Sequence, residues 1–505
     1  MTKTSKISLS EARKIRQQLS HPVVDADGHW LEMQPVFVEY IADVGGPAIV
    51  DRYKAALANS PGYNSARMSH EERVRQRVRR QAFWGFPNKI EDRGAVMFPG
   101  VFRDMLEEWG FDVALLYPTV GFLLLYLMKD PDLRSIIVGA YNTMVADMFG
   151  PYGDRLIPAA AISLHSPSEA IEQLEHAHGL GLKLIVANGT TLRPIEADAD
   201  FQPDPAKRRF YVDAYGLDSP YNYDPVWQKF IDLKLACTVH TGTMGWPDRS
   251  LPSSFVTNHL GHFAQSHHVT ARSLFMGGVT QRFPNLKFGF LEGGTGWACN
   301  LLSDLIGHWK KRNKGHMHKH MKPTQLDRPA LKELARKYMT GNERVMRNLD
   351  EVLARNLDPS EVGVSPEEFV SREIDTDEFE HVTIRNTTDI MRLFTSNFYF
   401  GCEADDPMTT LAYHPSAGLK VKAMLGSDIA HFDVIDAAEV LPEAWEMVEH
   451  GLMTEADFRE YTFTNVVELH ASMNPDFFRG TTVEGAVKDE LAFAGKRNFL
   501  RHHQC

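Results

Sequence analysis

The stretch Val23-Val24-Asp25-Ala26-Asp27-Gly28-His29-Trp30 opens as a strand and ends in chemistry. Two β-branched residues begin it, and acids and a histidine then alternate with other residues. Side chains alternate faces along a strand, so this spacing predicts that Asp25, Asp27 and His29 share one face. Three polar groups on one face of a buried strand are costly unless something pairs with them. A divalent cation would take a carboxylate oxygen from Asp27 and an imidazole nitrogen from His29 together. The plainer reading is a strand running into a loop, with Asp25 capping and His29 bonded to backbone.

Working outward, the chain has the makings of a repeated strand-and-helix unit. A helix is expected over residues 5–20, with Ser8 or Ser10 as its N-cap. Residues 34–110 read as mostly helical, and their charged run from Glu71 to Arg80 reads as a solvated helix face. Further strands are expected at 111–118, 156–164 (LIPAAAISL), 182–188 (LKLIVAN), 236–242, 286–292 (LKFGFLE), 398–402 and 421–428. Helices are expected between them at 131–149, 167–178, 224–234, 258–283 and 297–309, and after them at 436–449 and 454–471, the last N-capped by Thr454. Two irregular loops, 189–222 and 243–255, are long for plain connections and fit lids or binding loops.

Eight short apolar strands alternating with helices predict a parallel α/β fold, and a (β/α)8 TIM barrel is preferred to an open doubly wound sheet. The preference rests on the strand ends. His29, His240, Glu292 and Asp428 all fall at C-terminal ends, which a barrel gathers at one mouth. The expected organisation is an N-terminal helix (1–20), a barrel (21–310 and 393–475), a helical insertion between strands 6 and 7 (311–392) and a C-terminal tail (476–505). The insertion opens with His308, His316, His318 and His320, read as solvated surface rather than a metal site.

Composition narrows the function. A formal net charge of -12 speaks against a nucleic-acid partner. The four cysteines (Cys237, Cys299, Cys402 and Cys505) are far apart and form no CxxC pair, as expected of reduced thiols. The polar N-terminus has no signal-peptide core, and Pro118 and Gly121 break the greasiest run, so a cytoplasmic protein without a membrane span is expected. A homodimer is the expected assembly.

Asp27, His29, His240 and Asp428 supply two imidazoles and two carboxylates, a set suited to one divalent ion, Zn2+ first, with Mn2+ or Fe2+ as alternatives. Glu292 reads as a general acid or base, or as a further ligand, and Asp428 as an alternative proton acceptor. His431 is expected to orient a ligand or to bind substrate. Trp30, Trp246 and Arg249 are expected on the substrate side, and Arg193 is a weaker candidate for holding a carboxylate. The aromatic residues Phe83, Trp84, Phe86, Tyr117, Phe122, Tyr126 and Trp297 add to the case for an apolar or aromatic substrate.

The ordered motifs Asp25-Ala26-Asp27-Gly28-His29, Arg282–Phe288 with Leu291–Trp297, and Gly426-Ser427-Asp428-Ile429-Ala430-His431 resemble those of the amidohydrolase-related metal-dependent hydrolases of the amidohydrolase superfamily. The resemblance is to the branch that includes aminocarboxymuconate-semialdehyde decarboxylase and aromatic-acid decarboxylases, and it covers most of residues 20–310 and 395–475. It implies a TIM barrel with one divalent metal at the mouth. His29, His240 and Asp428 match ligands, and Asp27 matches the other half of the first-strand pair. Two departures matter. Glu292 stands where the decarboxylases place a catalytic histidine, and a carboxylate there repels a substrate carboxylate unless protonated. Lys183 lies at the wrong end of the fourth strand to bridge two metals, so the site is expected to be mononuclear.

The expected function is therefore a metal-dependent hydrolase that uses metal-activated water on a C–N, C–O or C–C bond next to a carbonyl of a small substrate. The alternatives are a non-oxidative decarboxylase of an aromatic or unsaturated acid and a non-catalytic binding barrel.

Overall fold

The computed structural model describes residues 9–59, 65, 67–80, 89–196, 210–240, 251–320, 327–355, 377–414, 420–429 and 431–502. Its strands are β1 (Val24–Trp30), β2 (Val113–Pro118), β3 (Leu156–Ile162), β4 (Leu184–Asn188), β5 (Thr191–Pro194), β6 (Phe210–Asp213), β7 (Cys237–His240), β8 (Phe288–Phe290), β9 (Phe398–Cys402) and β10 (Lys422–Leu425). Eight of them run in the order β1-β2-β3-β4-β7-β8-β9-β10, with every assigned pairing parallel. Helices cover their outer faces, so the strands are buried on both sides. That is why β2 (VALLYP) and β4 (LIVAN) read as unbroken apolar runs. The expected (β/α)8 TIM barrel is the fold observed.

The barrel is closed by the chain just beyond β10. Asp428 N donates to Asp27 O and His29 N donates to Ile429 O, each at 2.9 Å. Alongside, Ser427 N and Ser427 Oγ donate to the two oxygens of Asp25 at 2.9 and 2.6 Å. Asp25 is fully buried, and burial raises its pKa to about 6 against the lowering effect of these bonds. The β1 register shifts between Asp25 and Gly28. A Cβ at Gly28 would sit 2.5 Å from Asp25 Oδ2, so Asp25 lies on the side of Gly28 and not with Asp27 and His29. The expectation that all three share a face fails, because the bulge breaks the alternation. A Cβ at Gly426 would likewise sit 2.8 Å from Asp27 Cβ, so the two chains approach this closely only with glycine there.

Local signals set the helix bounds. Ser10 caps the helix Glu11–Gln18 by accepting from Arg13 N, Asp130 caps Pro131–Phe149, and Thr454 forms a capping box with Asp457. Residues 189–222, expected to be irregular, contain the antiparallel hairpin β5–β6. Thr191 and Asn188 tie its base to Tyr215. The single helix expected over 258–283 is instead the end of Phe255–His259 followed by His262–Met276 and Val279–Arg282, the last two separated at Gly277-Gly278. After β10 the closing helix passes through a π-helical turn, Glu460–Thr464. Among the described residues no helix is long and apolar enough to cross a membrane.

The chain divides into two compact units, Met1–Leu302 with Met391–Cys505, and Ser303–Ile390. The second unit is helical. Its helices Arg328–Met339 and Glu343–Arg347 are capped by Asp327 and Asn342, and Lys332 pairs with Asp350. His316, His318 and His320 lie on its short helix Lys314–His320, of which no residue is buried.

Asp25→Ala should destabilise the protein by about 3 kcal/mol, because it leaves buried donors of Ser427 and Asp27 without an acceptor. Ser427→Ala, which keeps the amide bond, should cost about 1 kcal/mol. Chemical denaturation of both variants measures the difference.

Candidate metal centre

The mouth is assembled from four strand ends. Asp27 and His29 come from the end of β1, and His240 is the last residue of β7. Glu292 lies two residues past β8, and Asp428 three past β10. Glu292 and Asp428 both have left-handed backbone, with φ of 57° and 49°. That region is uncommon for residues other than glycine and recurs at functional sites. The turn carrying Glu292 is held from outside, where the buried His267 Nε2 lies 2.6 Å from Leu291 O and Gly294 N donates to Gly401 O at 2.9 Å.

Within the mouth, His29 Nε2 lies 3.3 Å from Asp428 Oδ1 and 3.6 Å from Asp27 Oδ1. His240 Nε2 lies 3.1 Å from Glu292 Oε2. The His431 ring stacks on that of His29 at 3.9 Å, and its Nδ1 contacts Asp428 Oδ1. Donor atoms of Asp27, His29, His240 and Glu292 lie within 4.8 Å of one another, and so do those of His29, Glu292, Asp428 and His431. The two groups share His29 and Glu292, and all six residues are buried.

These residues fit a divalent cation. Asp27 Oδ1, His29 Nε2 and both oxygens of Glu292 and of Asp428 are buried without a hydrogen bond. So many orphaned acceptors in one place would be costly unless a cation met them. Burial drives the carboxyls of Asp27, Glu292 and Asp428 well above the usual carboxylate range, and neighbouring acids push further: Asp25 and Glu403 on Asp27, Glu403 and Asp27 on Glu292, Glu292 and Asp433 on Asp428. Burial, followed by His431 and His240, holds His29 well below its usual value. His431 is pushed down to about 3 by burial and by His259. Neutral imidazoles are the form that binds metal.

Of the expected site residues, the structure brings together Asp27, His29, His240, Glu292, Asp428 and His431. Trp30 is a correction. It faces away from the mouth, edge-on to Phe149 at 5.0 Å and stacked near Tyr141, because alternation puts it on the face opposite His29. Trp246 and Arg249 lie outside the described residues, as do Phe83, Trp84 and Phe86. Arg193 pairs with Asp213 across the hairpin at 2.5 Å and donates to Tyr223 Oη beyond it. Trp297 packs on Phe290 and Phe400. Lys183 donates to the carbonyls of Asp476 and Phe477, at the end of the barrel away from the mouth.

Three residues of the mouth lie outside the expected set. Glu403 follows β9 directly, the same position that draws attention to the other strand ends, and burial with Asp433, Asp405 and Asp406 raises it to about 8. Asp433 is two residues past His431. His259 comes within 4.0 Å of Glu292 Oε1 and is marked in the sequence only by its i, i+3 spacing from His262. Rings line this side, with Phe263 beside His240 at 5.2 Å and Phe432 between Phe255 and His259.

The amidohydrolase family model matches residues 127–346. No curated protein matches the chain. Among solved structures, an amidohydrolase from Mycobacterium avium subsp. paratuberculosis K-10 aligns over 89% of this chain and 99% of its own, at 15% identity and a TM-score of 0.51. A 5-carboxyvanillate decarboxylase from Sphingomonas paucimobilis aligns over 89% and 99% at 13% identity and a TM-score of 0.47. A 2,6-dihydroxybenzoate decarboxylase from Rhizobium aligns over 89% and 98% at 14% identity and a TM-score of 0.45. The expected resemblance to the amidohydrolases is borne out. The family match covers under half of the chain, and the protein is a (β/α)8 barrel similar to the amidohydrolases, with a candidate divalent-metal centre.

A pH dependence follows from the raised carboxyls. In the unfolded chain Asp27, Glu292 and Asp428 ionise at ordinary values, whereas in the native state they hold their protons to higher pH. The metal-free protein therefore loses stability from these groups as pH rises above the ordinary carboxylate range, and a bound cation offsets the loss. The gain in Tm on adding a divalent metal should be larger at about pH 7.5 than at about pH 5.5, where protons compete with the metal for the same ligands. Paired thermal melts with and without chelator measure it.

Proposed function

We propose that this protein is a metal-dependent hydrolase that cleaves a bond next to the carbonyl of a small, uncharged, apolar or aromatic substrate. The observation that carries this reading is the acid-rich mouth. Glu403 and Asp433 add to Asp27, Glu292 and Asp428, and among the described residues no arginine or lysine forms an ion pair with any of the site's carboxylates. With Asp27 and Asp428 balanced by a divalent ion, Glu292, Glu403 and Asp433 remain as acids with no cation opposite among the described residues, so a neutral carbonyl compound suits the mouth better than a carboxylate.

Asp27, His29, His240 and Asp428, drawn from the two donor groups that meet at His29, would hold the ion, with Zn2+ the first choice for two imidazoles and two carboxylates. When bound, the ion supplies Lewis acidity toward a carbonyl and lowers the pKa of water. Asp428 is oriented by His431, whose ring is itself stacked on His29. Glu292 moves the proton. Its carboxyl touches His240 and faces His259, whose side chain is 17% exposed against 1% for that of Glu292, so His259 marks the outward side of the carboxyl. A buried carboxyl with a raised pKa holds a proton more tightly than an exposed one, which suits it to accept a proton from water and return it to a leaving group. Phe255, Phe263 and Phe432 give an apolar substrate a wall to lie against.

Elemental analysis of the purified protein should find about one equivalent of divalent metal, reduced in His240→Ala and Asp428→Asn. Glu292→Gln should retain the metal yet lower kcat on a carbonyl-containing ester or amide by about 10²–10⁴-fold. Release of CO2 from aromatic acids, without hydrolysis of neutral substrates, would replace this reading with a carboxy-lyase. A folded protein that stays metal-free after reconstitution would leave a non-catalytic binding barrel.

A further inference from the structure

At the N-terminal end of the barrel, away from the mouth, a cavity of about 610 Å³ opens between the starts of β8, β9 and β10 and the closing helices. Its walls carry three lysines. Lys287 precedes β8, Lys420 precedes β10, and Lys422 begins it. Two of them are matched. Lys420 Nζ pairs with Glu460 at 2.9 Å, and Lys422 Nζ pairs with Glu468 at 2.7 Å while lying over the Tyr399 ring. The third acid in the wall, Glu490, pairs with Arg459 at 2.6 Å. Lys287 is the exception. Among the described residues its Nζ has no carboxylate partner and donates to Ser396 O at 2.5 Å. Burial, and then Lys422 across the cavity, push it down to about 8, with Glu468 opposing.

We propose that this cavity is a binding site for a small organic monocarboxylate, with Lys287 as the cation that receives it. Every other charge in the wall is paired, so one negative charge completes the set and a dianion exceeds it. The cavity is far larger than a bare ion needs and falls within the range of small-molecule sites. Val467, Leu491 and the lysine stems offer apolar wall to an organic tail. An ammonium held by a single carbonyl in a partly desolvated site gains more from a carboxylate than an exposed lysine does. Nothing in this site belongs to the mouth, so its occupancy is independent of the hydrolase reading.

Isothermal titration of the intact protein with sodium hexanoate, at constant ionic strength set by sodium chloride, tests the proposal. Saturable binding is expected, weakened about tenfold or more in Lys287→Met. The same loss in Lys420→Met, which frees Glu460 to face the cavity, supports the location. Thermal melts of the two variants establish that they are folded. No saturable binding, equal affinity in wild type and folded Lys287→Met, or equally tight binding of inorganic phosphate would each overturn the assignment.

Discussion

Closure of the barrel between its first and last strands is the constraint on which the rest depends. Asp25 sits fully buried at that seam and binds both donors of Ser427, while Asp27 O and Ile429 O take the amides of Asp428 and His29. The amides and carbonyls that close the sheet belong to the residues whose side chains form the mouth or to their immediate neighbours. Closing the sheet and placing Asp27, His29 and Asp428 are one event, because backbone pairing at this point leaves their side chains no other direction. A buried carboxyl with its pKa raised to about 6 is an expensive rivet. It is tolerable here because its hydrogen bonds come from donors that would otherwise be orphaned at the edge of a sheet.

The mouth is the converse case. Asp27, Glu292 and Asp428 are buried with acceptors that nothing in the protein satisfies. A protein interior accepts one such group at a cost, and three adjacent ones make sense only where something else completes them. Neutral His29 and His431 offer lone pairs to a cation, and the carboxyls beside them, which hold their protons to higher pH, gain from a cation the charge balance that the protein does not give them. Glu403 and Asp433 extend the negative field without belonging to either donor group. That field favours the entry of a cation.

How much of this was legible in the sequence depends on distance along the chain. Strand-end positions were readable because a parallel strand is short and buried and its polar residues cluster where it stops; hence His29, His240, Glu292 and Asp428. Period-two alternation correctly separates His29 from Trp30 once applied strictly, and it is what sends Trp30 out toward Phe149. Alternation fails at Asp25, since a bulge is a property of the pair of strands and not of one. The hairpin β5–β6 was hidden because its strands, TLRP and FYVD, are four residues each and meet only through pairing across a long connection. His259 was hidden for a similar reason. Its approach to Glu292 comes from the packing of the short helix Phe255–His259, which no local pattern encodes.

The left-handed backbone at Glu292 and Asp428 links fold to chemistry. In a continuing strand each residue alternates faces and its side chain stands perpendicular to the sheet. A positive φ at the first residues beyond the strand ends the ladder abruptly and redirects the chain. The cost is of order 1–2 kcal/mol at each position. Each is held by fixed structure: Glu292 by His267 on the carbonyl before it and by Gly294 on Gly401, Asp428 by its own amide on Asp27. Relaxing either turn would not simply relieve strain, because it would break a buried hydrogen bond of the barrel. The two carboxyls are thus held in place before any ligand arrives, which is the preorganisation that a metal centre and a proton-transferring acid both require.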